Sequence, residues 1–248
     1  MGDLQALILA AGKGTRMKIN GSKLLHRFNG DTIIKRVVNA CKIPKVSKIN
    51  LIVGYESEKI ISELGNDFTY YFQENLSGTG EALRCFFENN NYEDDLLVLV
   101  GDTPLLSKKF ILNFTDYYYN NSLTTLLAVT KIENNIPPYA RVIRDNNNNI
   151  IKILEDFECD FSQKKITEVV TSQYCFNSKY LKPLLNKIKP KGKNNNTYLN
   201  DIINEKIKLG EKIDTYFEEN YLSLYGVNDK NDLLLLKNEI SSYEINSI

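Results

Sequence analysis

The sequence carries no surplus of charge of either sign. Its 31 lysines and arginines are matched by 31 aspartates and glutamates, whereas a general nucleic-acid binder would show a basic excess. There is one histidine, and the four cysteines, Cys41, Cys85, Cys159 and Cys175, form no CxxC pair. Structural-zinc spacing and the density of a secreted disulfide scaffold are both missing, so reduced thiols in a cytoplasmic protein are expected. No apolar run approaches the 18 residues of a membrane span. Met1-Gly2-Asp3-Leu4 lacks the charged n-region of a signal peptide, and Ala6 stands where a myristoylation signal needs Ser or Thr. Internal repeats are absent. With 42% hydrophobic and 25% charged residues over 248 positions, the chain reads as globular and long enough for one large α/β domain, with no membrane or nucleic-acid partner.

Hydrophobic patterning gives the organisation. Leu4 to Ala10 (LQALILA) and Asp95 to Val100 (DLLVLV) are nearly continuous apolar runs, as in parallel strands buried on both faces. Shorter strands are expected at Ile49 to Val53 and Phe68 to Phe72. Helices are expected from Asp31, as cap, to Cys41, at Glu56 to Leu64 and at Gly80 to Glu88. Strands alternating with helices at this spacing imply βαβ units and a mostly parallel, Rossmann-like sheet. From about residue 123 the texture becomes β-rich: Leu123 to Thr130, Ala140 to Arg144, Ile150 to Leu154 and Val169 to Phe176. That suggests a mixed or antiparallel substrate lobe. Helices return at Ser178 to Lys187, Leu199 to Leu209 (followed by Gly210 as a stop) and Asp229 to Ile240. The division expected is a nucleotide-binding half over about 1–122, then a substrate lobe and C-terminal helices over 123–248, within one domain. Asparagine runs at Asn146 to Asn149 and Asn194 to Asn196 read as polar loops.

The chemistry starts where the first strand ends, at Leu9-Ala10-Ala11-Gly12-Lys13-Gly14-Thr15-Arg16-Met17, with Lys23 beyond. Ligands bind at the carboxyl ends of strands in open α/β sheets. Glycines let backbone amides approach phosphate closely, and Arg16 and Lys23 can neutralise a triphosphate. A dinucleotide fingerprint fails because position 17 is Met17, and no GxxxxGK[S/T] string occurs. An ordinary tight turn is the competing reading, and Arg16 with Lys23 weighs against it. Asp102, ending a buried strand in Val100-Gly101-Asp102-Thr103-Pro104-Leu105-Leu106, is a rigidly held hard oxygen donor suited to Mg²⁺. The competing reading there is a turn aspartate before Pro104.

LAAGKGTRM followed by SKLLH resembles the LAAGxGTRM…PKxLH signature of the sugar-phosphate nucleotidyltransferases, in particular their N-acetylglucosamine-1-phosphate uridylyltransferase branch. Ser22 replaces the usual proline, while Lys23 is kept. Gln73 and Leu76-Ser77-Gly78-Thr79-Gly80-Glu81-Ala82 resemble Q…LGTGxA, Val100 to Leu106 resembles GDxPLI, and Tyr225-Gly226-Val227-Asn228 contains GVN. The resemblance runs from Leu4 to about Leu236. It implies a nucleotide-diphospho-sugar transferase fold with Arg16 and Lys23 as catalytic cations. It also implies a nucleotide site of Leu9, Ala11, Gly12, Gly14, Gln73, Gly78 and Thr79, and Mg²⁺ on Asp102 and Asn228. Gln73 would pair with the base edge. Helix caps are the bland readings, with Ser77 or Thr79 capping the helix from Gly80 and Asn228 as a cap near the C-terminus. His26 falls in PKxLH and is read as structural.

The same resemblance places the acceptor sugar at Ala140, Glu155, Val170, Tyr198 and Asn200, in segments standing for YGR[IV], E[IV]NTG and YYLTDII. Ala140 replaces a glycine, Val170 an asparagine that touches an N-acetyl group, and Asn200 a threonine. The reaction implied is UTP with N-acetylglucosamine 1-phosphate, giving UDP-N-acetylglucosamine and pyrophosphate. CTP or dTTP with another phosphorylated acceptor is the alternative, and a decayed nucleotide-binding module is the non-enzyme reading. Val170 should weaken use of N-acetylglucosamine 1-phosphate rather than abolish it. No hexapeptide repeats of a fused acetyltransferase are present, and oligomeric state is left open.

Overall fold

The computed structural model describes residues 3–14, 17, 21–192 and 194–245. Strand β1 (Leu4–Ala10) lies between β4 (Val46–Val53) and β6 (Asp95–Val100), parallel to both. Buried on both faces, β1 and β6 can be apolar at nearly every position. β5 (Thr69–Phe72) adds in parallel outside β4. The expected β1, β4, β5 and β6 are all present, with β4 starting three residues before Ile49.

Beyond β6 the sheet continues. β10 (Glu168–Asn177) pairs antiparallel with β6 and with β7 (Thr125–Lys131), and β11 (Asp214–Phe217) lies parallel to β7. The order is β11-β7-β10-β6-β1-β4-β5 in one nine-stranded sheet, with β8 (Ala140–Arg144) and β9 (Ile150–Leu154) as an antiparallel offshoot of β10. The β-rich second half is therefore an extension of the first sheet, with only the β8–β9 arm standing apart.

Helix α1 (Ile33–Cys41) buries Ile33, Ile34, Val37, Val38 and Cys41 along one stripe. Its cap is Thr32, whose hydroxyl accepts from the Lys35 N–H at 3.4 Å, and not Asp31. Asp31 and Thr32 form β3, which folds back on β2 (Arg27–Phe28) through an Asn29-Gly30 turn with φ of 46° and 90°. α2 (Ser57–Leu64) and α3 (Thr79–Glu88) match expectation. α4 (Lys108–Asn120) has no counterpart in the sequence reading. Its Phe110, Ile111, Phe114, Thr115 and Tyr118 are buried, and Ser107 caps it.

The helix expected over Ser178 to Lys187 is broken into a 3-10 turn (Ser178–Tyr180) and a short α5 (Lys182–Leu185). Pro183 has no N–H, and its ring would clash with the carbonyl four residues back in a continuous helix. α6 (Leu199–Lys208) ends before Gly210, at φ 80°, and α7 (Lys230–Ile245) closes the described chain. Apolar clusters lie on both faces of the sheet, and each draws residues from both halves of the chain. Among the described residues no helix is long and apolar enough to cross a membrane. All four cysteines are unpaired, and burial pushes the Cys41 thiol up to about 12.

Candidate functional site

Parallel register brings the ends of β1 and β6 together. Leu9 faces Val100, and the Gly101 N–H donates to the Leu9 carbonyl at 3.0 Å. At these carboxyl ends lies a cavity of about 320 Å³. Its walls include Leu9, Ala11, Gly12, Gly14, Lys23, Gln73, Gly78, Thr79 and Asp102. All seven residues expected to bind nucleotide thus meet in one cavity, with a cation and a carboxylate at its edge. Arg16 lies outside the described residues.

Lys23 sits in a 3-10 turn (Lys23–Leu25) opened by Ser22, whose hydroxyl accepts from the Leu24 N–H. The Ser22 N–H donates to Glu56 Oε2 at 2.5 Å, a bond a proline could not make. The Lys23 stem packs where a Gly14 Cβ would be, and Gly14 has a φ of 60°. Lys23 Nζ meets Asp102 Oδ2 at 2.6 Å, the Val227 carbonyl at 2.8 Å and Asn228 Oδ1 at 3.2 Å. His26 contributes backbone, donating to Lys23 and accepting from Ile33.

Asn228 is not the cap of α7. Asp229 Oδ1 accepts from the Asn231 and Asp232 N–H groups and takes that role. Asn228 Nδ2 donates to the Gly226 carbonyl at 3.1 Å, which turns Oδ1 toward Lys23. The loop is tied down twice, by the Val227 N–H on the Asp102 carbonyl (2.8 Å) and the Gly226 N–H on the Tyr139 hydroxyl (2.8 Å). One carboxylate and one amide oxygen therefore converge on a single ammonium. Both are hard donors, and Mg²⁺ is commonly held by one or two such protein groups together with substrate phosphates. The donor set fits the ion. Among the described residues no cluster of three or more His, Cys, Asp or Glu forms a closed metal cage.

Gln73 is buried, and its Nε2 donates to the carbonyls of Asn75 (2.8 Å) and Gly78 (3.3 Å). With both amide hydrogens given to the loop, the group left for a base is the carbonyl oxygen. Neither Ser77 nor Thr79 caps α3; Gly78 is its N-cap, without a side-chain bond. The Thr79 hydroxyl instead accepts from the Leu199 N–H at 3.0 Å, at the start of α6. The segment before α6 also lies on the glycine loop. Gly80 N–H donates to Thr197 O at 3.0 Å, and Thr197 N–H to Ser77 O at 2.8 Å. Asn196, from a run read as plain loop, consequently lines the cavity. Only its place in the fold reveals it.

These ties set the acceptor candidates beside the nucleotide cavity. Glu155 follows β9 and accepts from Asn200 Nδ2 at 2.9 Å, and burial raises its carboxyl above the usual range. Arg141, itself buried, pairs with Asp156 at 3.2 Å and bonds the Tyr139 carbonyl, holding the turn that starts at Glu155. Tyr198 contacts Phe157, with ring centroids 5.6 Å apart, and Lys191 lies over its ring. Ala140 and Val170 pair in register between β8 and β10, are buried in the apolar cluster and do not line the cavity.

A family model described as the MobA-like NTP transferase domain matches residues 6–169. The bifunctional protein GlmU of Clostridioides difficile is 32% identical over 194 residues, covering 78% of this chain and 41% of that protein. The bifunctional protein GlmU of Rippkaea orientalis is 37% identical over 186 residues, 73% of this chain and 40% of that protein. The chain thus spans about two fifths of the length of these relatives. A solved structure of UDP-glucose pyrophosphorylase complexed with UDP-glucose matches with a TM-score of 0.73 at 16% identity, over 98% of this chain and 100% of that one. That likeness is one of fold.

Proposed function

The chain belongs to the MobA-like NTP transferase family, and from that premise we propose that it joins UTP to a sugar 1-phosphate, forming a UDP-sugar and releasing pyrophosphate. The carrying observation is the meeting of Lys23, Asp102 and Asn228 at the rim of a glycine-walled cavity. N-acetylglucosamine 1-phosphate is the acceptor of this reading, drawn from the likeness to the bifunctional GlmU proteins.

The nucleophile is an oxygen of the acceptor phosphate, already ionised near neutral pH, so no general base is needed. It forms a bond to the α-phosphorus of UTP as the bond from that phosphorus to the bridging oxygen breaks, and pyrophosphate leaves with the electron pair. Catalysis then reduces to positioning and charge neutralisation. Gly12 and Gly14 allow backbone amides to approach the phosphates, and Lys23 neutralises charge on the α-phosphate and leaving group. Asp102 and Asn228 would hold Mg²⁺, which would supply further positive charge to offset that of the phosphates. The Gln73 carbonyl oxygen suits the N3–H donor of uracil. Cytosine offers only its exocyclic amine there, which makes CTP the weaker candidate; dTTP shares the N3–H.

One observation favours a second acceptor within the same reaction. Val170 and Ala140 are sealed into the core as a strand pair, so neither presents a polar group to an acetamide. A hexose 1-phosphate without the acetamide is the alternative. Pyrophosphate release measured for UTP, CTP and dTTP against a panel of sugar 1-phosphates tests both. UTP with N-acetylglucosamine 1-phosphate should give the highest kcat/KM. Equal or better use of glucose 1-phosphate selects the second acceptor, and release with no pair defeats the reading.

A further inference from the structure

A chain of polar groups runs out of the buried sheet toward the acceptor candidates. Tyr174, on β10, is 1% exposed and stacks on Phe176 with ring centroids 5.4 Å apart. Leu127 is its register partner on β7, and both lie in one apolar cluster with Val129 and Val170. Packing alone would be served by phenylalanine, and a buried hydroxyl is tolerated only with a partner. Asn200 is one partner, beside the Ser172 side chain: the phenol donates to Asn200 Oδ1 at 2.8 Å. Asn200 Nδ2 in turn donates to Glu155 Oε1 at 2.9 Å.

The direction of this chain is set by its ends. A carboxylate only accepts, so it takes the amide N–H and leaves Oδ1 for the phenol. The amide cannot flip without turning oxygen toward carboxylate and losing the bond to Glu155. Two further features place the device. The register of β10 against β7 shifts between Val170 and Tyr174, with Ser172 at φ 67°; such bulges re-aim the side chains that follow. Asn200 lies in the first turn of α6, next to Leu199, whose N–H is held by Thr79 of the nucleotide loop.

We propose that Tyr174 is a positioning residue for the acceptor: it locks the Asn200 amide, and through it holds Glu155 in the orientation that engages the hydroxyls of a sugar 1-phosphate. This rests on the acceptor assignment given above. Tyr174 touches no substrate, and its effect reaches the reaction through Asn200 and Glu155. The acceptor therefore depends on it and the nucleotide does not.

The test is steady-state kinetics on the full chain, varying each substrate in turn, for wild type, Tyr174→Phe, Asn200→Ala and the double variant. Tyr174→Phe keeps the ring and its stacking. It should raise the acceptor KM by about tenfold, the upper end for one lost hydrogen bond, and leave the NTP KM within about twofold. The double variant should be no worse than Asn200→Ala alone, because both substitutions cut the same chain. Asn200→Asp, which sets a second carboxylate against Glu155, should weaken acceptor use more than Asn200→Ala does, and it reads the chain from the far side if Tyr174→Phe fails to fold. An unchanged acceptor KM, equal rises in both KM values or full additivity in the double variant would each overturn the proposal. Failure of the acceptor assignment itself shows in the wild type, as no turnover with any sugar 1-phosphate, and overturns both.

Discussion

Three oxygens share the Lys23 ammonium, from Asp102, Asn228 and the Val227 backbone. Two of them are the oxygens proposed to hold a divalent ion, so lysine and ion would compete for the same groups, and Lys23 would turn to the phosphates when the ion binds. Lys23→Met should consequently have opposite effects on two measurements. Turnover should fall by about 10²–10³, as for loss of a donor that meets transition-state charge, with the NTP KM little changed. Mn²⁺ should bind the substrate-free protein more tightly, as followed by titration in electron paramagnetic resonance. Weaker Mn²⁺ binding in the variant would refute the shared site. Asp102→Ala should abolish turnover while the thermal midpoint holds, and near wild-type rates at saturating Mg²⁺ would remove Asp102 from the metal site.

Glu155 supplies a pH dependence at the same scale. Burial raises its carboxyl, with Asp201 and Glu158 acting in the same direction and Asn200 and Lys191 against it. The ionised form is the one that accepts from Asn200, so acceptor kcat/KM should fall on the acid side at a higher pH than an ordinary carboxylate gives. For stability the sign is reversed. The raised value favours the folded state below the ordinary carboxylate value, and that contribution is lost as pH rises through the folded one. Glu155→Gln should flatten both dependences. A variant that kept the wild-type acid limb would assign it to another group.

At the scale of elements, the glycine loop before α3 and the segment before α6 work as one unit. Gly78 has a φ of 103°, and a Cβ there would drive into the Thr197 carbonyl oxygen. Gly12 has nothing within 4 Å of its Cβ position. The two should separate on substitution. Gly78→Ala should lose about 1–3 kcal/mol of stability, measured by denaturant unfolding, because it forces a strained conformation. Gly12→Ala should stay within about 0.5 kcal/mol of wild type while weakening NTP binding, since the added methyl stands where phosphate approaches. Equal stability losses would mean that Gly12 is there for packing.

These elements also mark how far the sequence could be read. β1 and β6 are buried on both faces, so their apolar runs and the Gly12–Gly14 and Asp102 turns after them were legible. α4 was not, because its tyrosines and phenylalanines favour strands as much as helices, and tertiary packing decided. The break at Pro183 was legible, because proline interrupts a helix wherever it falls inside one. Asn196 and Tyr174 could not have been found. Asn196 reaches the cavity because its neighbour Thr197 is tied by backbone to Ser77 and Gly80, and Tyr174 joins the acceptor candidates through a hydroxyl bond across 26 residues.

Across the whole molecule, the sheet joins the proposed nucleotide and acceptor ends through the β6–β10 pairing. The clusters on its two faces ignore the division near residue 122. One runs from Leu7 to Ile213 and the other from Leu4 to Leu224. Neither half could bury its share of these clusters alone, because exposing β6 or β10 would open both faces at once. We therefore expect thermal unfolding in a single transition, with calorimetric and van't Hoff enthalpies equal. On the proposed function UTP with Mg²⁺ would bind only the folded state, so at about 100 times Kd it should add about 2.7 kcal/mol and move that one transition upward as a whole. Because the acceptor groups hang on the same loop through Thr79 and Leu199, the nucleotide should stabilise β10 as well as β1. Hydrogen exchange at the Tyr174 to Phe176 amides should therefore slow along with that of Leu7 to Leu9. Two resolved transitions, or a nucleotide-induced shift confined to the first 122 residues, would show that the halves unfold independently.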